Sequence, residues 1–249
     1  MAFFSARKYL GQRVGNYIVD ELVGEGRYGQ CFLAREDAGA KVIIKKFRPG
    51  IFKKNAEKNI YEAVTLSKLK DTRIPELLGV INQESFYGFV LEHKPGNTVK
   101  DMLFKHNYVF SDEEFYNIGL RLISIIKYLH ENGIVHRDIR IPNVLVDNEN
   151  VYLIDFGLAR FADGNEYKYD LDYSYLGDFF LYLLYSSFQK KDGYKNLPWH
   201  KELPLTDKQK IFLKRLLGIE VVYESIDDIE TEFIDAFGLF VKPTLRRKY

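Results

Sequence analysis

Two acids and an amide stand close together in the stretches HRDIRIPNVLV and VYLIDFG: Asp138, then Asn143 five residues on, then Asp155 after a further apolar run. A carboxylate can accept the proton of an attacking hydroxyl, and an amide oxygen with a second carboxylate supplies hard oxygen ligands for a cation of the Mg2+ type. Such a set suits phosphoryl transfer, whose catalysis is almost entirely positioning and charge neutralisation. Triplets of the H-x-D and D-x-G kind are cheap in a chain with 35 acids and 18 glycines, so their setting carries the weight. Ile134-Val135 precedes the first and Val151-Tyr152-Leu153-Ile154 the second. Apolar, β-branched runs predict buried strands, so each acid falls where a strand ends and a loop opens, a place where function concentrates.

Upstream, Val23-Gly24-Glu25-Gly26-Arg27-Tyr28-Gly29-Gln30-Cys31 contains G-x-G-x-x-G. A dinucleotide-binding turn of this pattern needs a helix directly after the glycines and an acid about 20 residues on. Here Gln30-Cys31-Phe32-Leu33-Ala34 reads as strand, and positions 42 to 50 hold Lys45 and Lys46 but no acid. A hairpin whose glycines let backbone N–H groups close over phosphates fits better. In Lys41-Val42-Ile43-Ile44-Lys45-Lys46-Phe47 the lysine after three apolar residues is expected to point from a central strand toward nucleotide phosphates, leaving Lys46 to face solvent. Its expected partner is Glu62, because Ile60, Glu62, Leu66 and Leu69 keep helical spacing in a segment without Gly or Pro. Glu57 is the alternative.

The glycine loop, strand lysine, helix glutamate, HRD-x4-N and DFG, in that order, resemble a protein kinase catalytic domain from about Val14 to Tyr185. The resemblance implies an α+β fold of two lobes, with a small β-rich N-lobe over about 17–93 and a larger, mainly helical C-lobe over about 97–249, after an N-terminal extension of residues 1–16. It implies ATP and Mg2+ as cofactors, with Mn2+ as an alternative metal. Lys45 would reach the α and β phosphates, steadied by Glu62. Asp138 would be the catalytic base, Arg140 would pair with the γ-phosphate, and Asn143 and Asp155 would hold the metal. Residues 23–31 with Ile43, Lys45 and Leu145 would enclose the nucleotide. In Phe89-Val90-Leu91-Glu92-His93-Lys94, backbone groups of Glu92 and Lys94 would pair with the adenine edge, and Leu91 would be the gatekeeper.

The chain departs from that family in three places. Cys31 and Ile43 stand where Val and Ala usually cover the adenine; one is smaller and the other larger, and volume-conserving swaps are the tolerated kind. Arg140 replaces the lysine usual in serine/threonine kinases, offering a planar fork of donors instead of a point charge, and some tyrosine kinases use arginine at this place. After DFG the chain runs through residues 158–171 to Asp172-Tyr173-Ser174-Tyr175-Leu176-Gly177, which resembles the start of the kinases' central buried helix with Asp172 as its capping acid. The Ala-Pro-Glu motif is absent, and with it most of the shelf for a substrate peptide. The short segment resembles that of small atypical kinases, some acting on proteins and others on sugars or lipopolysaccharide. The leading implication is an ATP- and Mg2+-dependent serine/threonine protein kinase of the small bacterial kind. A kinase of a small molecule or sugar is the alternative, and a nucleotide-binding scaffold without activity is the third, opposed by the filled catalytic positions.

Composition agrees with a two-lobed cytoplasmic enzyme: 249 residues, 46% hydrophobic, can bury a large core, and a net charge of +1 gives no field for nucleic acid. A single cysteine, Cys31, excludes an intrachain disulfide and suits a reducing compartment. No Pro/Gly/Ser linker divides the chain, whose hinge is expected at Glu92 to Asn97. Ser111 with Glu114 predicts a capping box for a helix reaching Glu131, with His130 near its end as a packing or capping residue. The apolar helix predicted over Tyr175 to Phe188 is interrupted by Asp178 and stops at Gln189, short of the about 20 residues a membrane span needs. The start MAFFSARKYLGQR has too short an apolar run for a secretory signal, though Phe3, Phe4 and Leu10 could touch a membrane surface. The expected partners are ATP and a protein substrate, with a small-molecule acceptor as the alternative and no nucleic acid or integral membrane contact. Residues 158–171 contain no serine or threonine, which predicts activity without phosphorylation of that segment and places any autophosphorylation elsewhere, on Ser5, Ser67, Thr98 or Thr244.

Overall fold

The computed structural model describes residues 8–26, 29–48, 56–83, 86–189 and 197–238, with the backbone alone over 56–60. It forms two compact units, the first ending at Lys94 and the second beginning at Pro95. Arg27, Tyr28, Ser5, Thr244 and the apolar residues Phe3 and Phe4 lie outside the described residues, as does the side chain of Glu57.

The first unit is an antiparallel sheet of β1 (Arg13–Val14), β2 (Tyr17–Glu25), β3 (Gly29–Glu36), β4 (Lys41–Phe47), β5 (Leu77–Gln83) and β6 (Phe86–Glu92), in the spatial order β1-β2-β3-β4-β6-β5, accompanied by helix α1 (Ala56–Lys68). Alternation along the strands sends Phe32, Ala34, Val42, Ile44 and Val90 to one buried face, where they meet Val14 and Val19. The opposite face follows from register: Cys31 on β3 is paired with Lys45 on β4, which is paired with Phe89 on β6, and Leu33, Ile43 and Leu91 make the next row. Tyr9 sits edge-on to Phe32 and Phe86, with ring centres 5.9 and 5.1 Å apart. Within the expected extension of residues 1–16, Tyr9 and Val14 pack against this core, while residues 10–13 are exposed.

Lys46 does not face solvent as the sequence suggests; it is 8% exposed. Alternation sends it to the face where Tyr9 and Phe86 lie, and its ammonium stands 5.3 and 5.5 Å from their ring centres. Aromatic faces attract a cation, and the lysine stem covers apolar surface on the way.

The second unit begins with β7 (Asn97–Thr98) and α2 (Val99–Phe104), then the long helix α3 (Asp112–Glu131). Ser111 caps α3: its hydroxyl accepts from the Glu114 N–H, and the Glu114 carboxylate accepts from the Ser111 N–H at 2.9 Å. Such a cap is worth about 1 kcal/mol. The short strands β8 (Ile134–Val135), β9 (Val144–Asp147), β10 (Asn150–Leu153) and β11 (Arg160–Phe161) follow, pairing β10-β9-β7 and β11-β8. Helices α4 (Asp170–Tyr185), α5 (Trp199–Glu202), α6 (Asp207–Leu216) and α7 (Ile226–Phe237) complete it. Phe115, Phe180, Phe212, Phe233 and Phe237 are all buried and their rings interlock. A Cβ at Gly119 would stand 2.3 Å from the Phe233 ring, so glycine there lets α3 and α7 approach. Among the described residues no helix is long and apolar enough to cross a membrane.

Candidate active site

In the first unit, β2 and β3 form a hairpin closed by the Gly26 N–H on the Gly29 carbonyl at 3.0 Å. Of the three loop glycines only Gly29 is demanded by packing: a Cβ there would lie 2.0 Å from the Lys46 carbonyl oxygen, whereas Gly24 and Gly26 have room. Val23 lies exposed at an irregularity of the β2–β3 register, and Glu25 accepts from Arg48 at 3.1 Å and from Gln30 at 3.4 Å. Gln30 is buried and, by alternation, shares the face of Phe32 and Lys46 rather than that of Cys31 and Lys45.

Lys45 and Glu62 are brought together. The ammonium lies 2.7 and 2.9 Å from the two carboxylate oxygens, with Lys45 9% and Glu62 1% exposed. An exposed ion pair would be worth about 0 to 1 kcal/mol; this one is dry, and removing either residue would take an opposite charge from its buried neighbour at a cost of about 3–5 kcal/mol. Helical spacing delivers Glu62 because Leu66, one turn on, is buried on the same helix side. Cys31, Ile43 and Leu91 share the Lys45 face by register. At the end of β6 the Glu92 N–H is taken by the Glu76 carbonyl at 2.9 Å. The Lys94 side chain turns away to the Thr72 carbonyl and the Glu92 carboxylate, each at 2.7 Å.

In the second unit, the loop after β8 carries His136, Arg137 and Asp138. Its backbone is anchored by Asp172, whose fully buried carboxylate accepts from the Arg137 N–H at 2.7 Å, the His136 N–H at 2.9 Å and His130 Nε2 at 3.0 Å. This corrects two expectations. Asp172 does not cap its helix, and α4 starts at Asp170, five residues before Tyr175, with Tyr169 at a cap position that has no side-chain bond. A carboxylate in so dry a place must be fully donated to, and the loop supplies the donors. His130 is a packing residue, as its sequence position suggests.

Burial pushes the His136 imidazole below its ordinary pKa, so the ring is neutral. The Asp138 N–H donates to His136 Nδ1 at 3.2 Å, which puts the ring proton on Nε2. The ring also meets Phe156 edge-on, centres 4.7 Å apart. Asp138 accepts on both oxygens from Arg140, from Nε on one and from Nη2 at 2.8 Å on the other. The sequence expects Arg140 on a phosphate; here its fork closes on the carboxylate two residues away, and this pairing holds the guanidinium above its ordinary pKa. Asn143 Nδ2 donates to the Asp138 carboxylate at 2.7 Å and to its carbonyl at 2.9 Å. Asp155 follows β10 at the surface, with its carboxylate accepting from the Gly157 N–H at 3.3 Å. Arg137 and Asp155 have φ of 66° and 65°. Such left-handed backbone costs about 1–3 kcal/mol per residue and persists where surroundings over-determine it, typically at active sites. Leu145 is buried on β9, paired with Tyr152 and Thr98.

With Nδ2 committed to Asp138, Asn143 could offer Oδ1 to a metal, and Asp155 could offer a carboxylate. Among the described residues no group of three or more His, Cys, Asp or Glu side chains could hold a metal on its own. One amide and one carboxylate are a donor set for a cation that keeps water and phosphate oxygens in its shell, the habit of Mg2+.

Sequence reasoning missed the part played by Asp172. The signal was present, since an acid within the first turn of an otherwise apolar helix is costly unless several groups donate to it.

The protein kinase domain family profile matches residues 17–177. A protein of Bacillus subtilis (strain 168) named probable serine/threonine-protein kinase YbdM is 33% identical over 226 residues, 87% of each chain. A probable serine/threonine-protein kinase KIN1 homolog of Enterocytozoon bieneusi is 29% identical over 160 residues, 63% of this chain and 26% of that one. Human hormonally up-regulated neu tumor-associated kinase is 34% identical over 164 residues, 61% of this chain and 22% of that one. The chain therefore spans most of the first protein's length and about a quarter of the others'.

Proposed function

The chain belongs to the protein kinase family, and from that premise we propose that it is a serine/threonine protein kinase, moving the γ-phosphate of ATP to protein hydroxyls. The observation that carries this reading is the Asp138 carboxylate held by Asn143 at 2.7 Å on a loop pinned by Asp172. The carboxylate is thus oriented by its own loop before an acceptor hydroxyl arrives, and the Arg140 fork is the one group that must move aside for that hydroxyl.

Asp138 is proposed to orient that hydroxyl and take its proton. Arg140, with its side chain 55% exposed, is free enough to leave Asp138 for the transferring phosphate, which would bare the base as substrate binds. Asn143 Oδ1 and Asp155 are proposed to hold Mg2+ together with the nucleotide, Mn2+ being the alternative; when bound, the cation neutralises charge on the β and γ phosphates. From the first unit, Lys45 is proposed for the α and β phosphates, with Glu62 fixing its ammonium. In the first unit, the backbone of residues 23–26 and 29 and the half-buried side chains of Cys31 and Ile43 are proposed as nucleotide-binding, with the Glu92 carbonyl and the Lys94 backbone for the adenine edge; in the second unit, Leu145 is proposed as nucleotide-binding. The buried, turned Gln30 would contribute through its backbone. A cytoplasmic setting, which suits a chain with one cysteine, is part of the same proposal.

One feature favours a second reading. Only residues 158–169 separate the DFG glycine from α4, which leaves little chain to build a peptide shelf and would suit a small-molecule acceptor. Incubation with labelled ATP and a panel of proteins, sugars and other hydroxyl compounds separates the two. Label on protein serine or threonine supports the first reading; label confined to a small molecule replaces it with the second.

A further inference from the structure

With no serine or threonine in residues 158–171, a serine/threonine-specific enzyme has no hydroxyl of its own to modify there. Arg137, next to Asp138, nevertheless has a partner in that segment. Its guanidinium carbon stands 4.7 Å from the centre of the Tyr167 ring, and Nη1 donates to the Leu158 carbonyl at 3.3 Å. A guanidinium suits an aromatic face because its charge is spread over a plane and weakly hydrated. Arg137 also needs fixing: its φ of 66° is left-handed, and Asp172 secures only its N–H.

Tyr167 is itself held in place. Asp163 Oδ1 accepts from the N–H groups of Asn165 at 2.8 Å and Tyr167 at 2.9 Å, and the Asp163 N–H donates to the Tyr167 carbonyl at 3.2 Å, closing residues 163–167 into a ring. Just before it, the Ala162 N–H donates to the Gly133 carbonyl at 2.8 Å. Two residues on, Tyr169 stacks on His130 with centres 4.3 Å apart and donates its hydroxyl to the His130 carbonyl at 3.1 Å. His130 in turn bonds Asp172. Tyr167 thus ties the segment to the loop bearing Asp138, and Tyr169 ties it to His130, a partner of the Asp172 that anchors that loop.

We propose that Tyr167 is a positioning residue for phosphoryl transfer, its ring holding Arg137 where a phosphate holds the corresponding arginine in kinases switched by phosphorylation. The inference rests on the protein kinase reading and deepens it. In switched kinases a new dianion pairs with the arginine and orders the segment. Here an uncharged ring, always present, does so, and the segment needs no modification.

The test compares Tyr167→Phe with Tyr167→Leu in the full chain, with and without phosphatase treatment. Phenylalanine keeps the π face and loses only the hydroxyl; leucine keeps apolar bulk and loses the π face. Expected are a kcat within about twofold of the parent for Tyr167→Phe and about tenfold lower for Tyr167→Leu, with KM for ATP within about twofold in both and no effect of phosphatase. Amide hydrogen exchange across residues 158–171 should quicken in Tyr167→Leu but not in Tyr167→Phe. Exchange needs no acceptor, so it judges the contact separately from the choice of substrate. Parent-like exchange and kcat in Tyr167→Leu would overturn the proposal. So would equal losses in both variants, or a phosphotyrosine at 167 whose removal silences the protein.

Discussion

The Asn143 amide reaches both the carboxylate and the carbonyl of Asp138, at 2.7 and 2.9 Å. One side chain therefore orients the proposed base and, with its Nδ2 committed there, keeps only its oxygen to offer the proposed metal. Asn143→Ala should accordingly lose both functions, weakening metal-dependent nucleotide binding and slowing transfer at saturating nucleotide. Asp155→Asn, which removes a charged ligand but leaves Asp138 untouched, should act on binding first. Titration calorimetry with ATP, with and without Mg2+, checks this: Asp155→Asn should lose most of the metal-dependent gain in affinity. Unchanged metal dependence would remove Asp155 from the metal site.

Lys45 and Lys46 are neighbours on opposite faces of β4. Lys45→Met should lower turnover by about a hundredfold or more, as loss of a charge-stabilising donor does, and it should also destabilise the fold by about 3–5 kcal/mol because the buried Glu62 loses its cationic neighbour. Lys46→Met keeps the stem that packs on Tyr9 and Phe86. It should retain turnover within a few-fold and lose at most about 2 kcal/mol. Steady-state kinetics and denaturant unfolding of the two variants provide the comparison; similar turnover in both would show that neither lysine is specific to the nucleotide.

Cys31 lies in the row of Lys45 and Phe89. With no other thiol in the chain, its alkylation by a small maleimide can be followed by mass alone. The rate should fall when Mg·ATP is added. An unchanged rate at saturating nucleotide would move Cys31 away from the adenine.

His136 is buried and neutral, with its pKa pushed down by desolvation. Its folded-state pKa lies below the ordinary value of about 6.5, so its share of stability is present above that pH and is lost as pH falls through and below it, while the unfolded chain takes up a proton that the folded one refuses. The loss attributable to this site is at most about 1.4 kcal/mol per pH unit. His93, lowered by burial and then by Lys41, adds in the same direction. His136→Asn keeps an acceptor for the Asp138 N–H, and its unfolding free energy measured from pH 7.5 to 5, a range set around that ordinary pKa, should fall less steeply than the parent's. Parallel curves would contradict a neutral buried ring.

Much of this architecture was legible in the sequence because it is written in short-range pattern. Ser111 and Glu114 announce the start of α3, the runs Gln30–Ala34 and Lys41–Phe47 announce β3 and β4, and helical spacing picks Glu62 from its neighbours. What was not legible depends on residues brought together from afar. Nothing local to Lys46 indicates that Tyr9 and Phe86 cover it, and nothing local to Asp172 indicates that the loop 36 residues earlier donates to it. The early start of α4 escaped notice because Tyr169 caps it without a side-chain bond, so the usual polar signal is missing. The closure of Arg140 on Asp138 depends on side-chain geometry that spacing does not encode.

The most direct test of the account separates holding the nucleotide from moving its phosphate. Asp138→Asn preserves the shape of the side chain and removes its basicity. Measured side by side, its affinity for Mg·ATP should stay within a few-fold of the parent, while transfer to a serine- and threonine-containing protein at saturating ATP should fall by about a hundredfold to ten-thousandfold, the worth of a positioned general base. Transfer that survives in Asp138→Asn, or a loss of nucleotide binding as large as the loss of transfer, would contradict the assignment of Asp138 as the base.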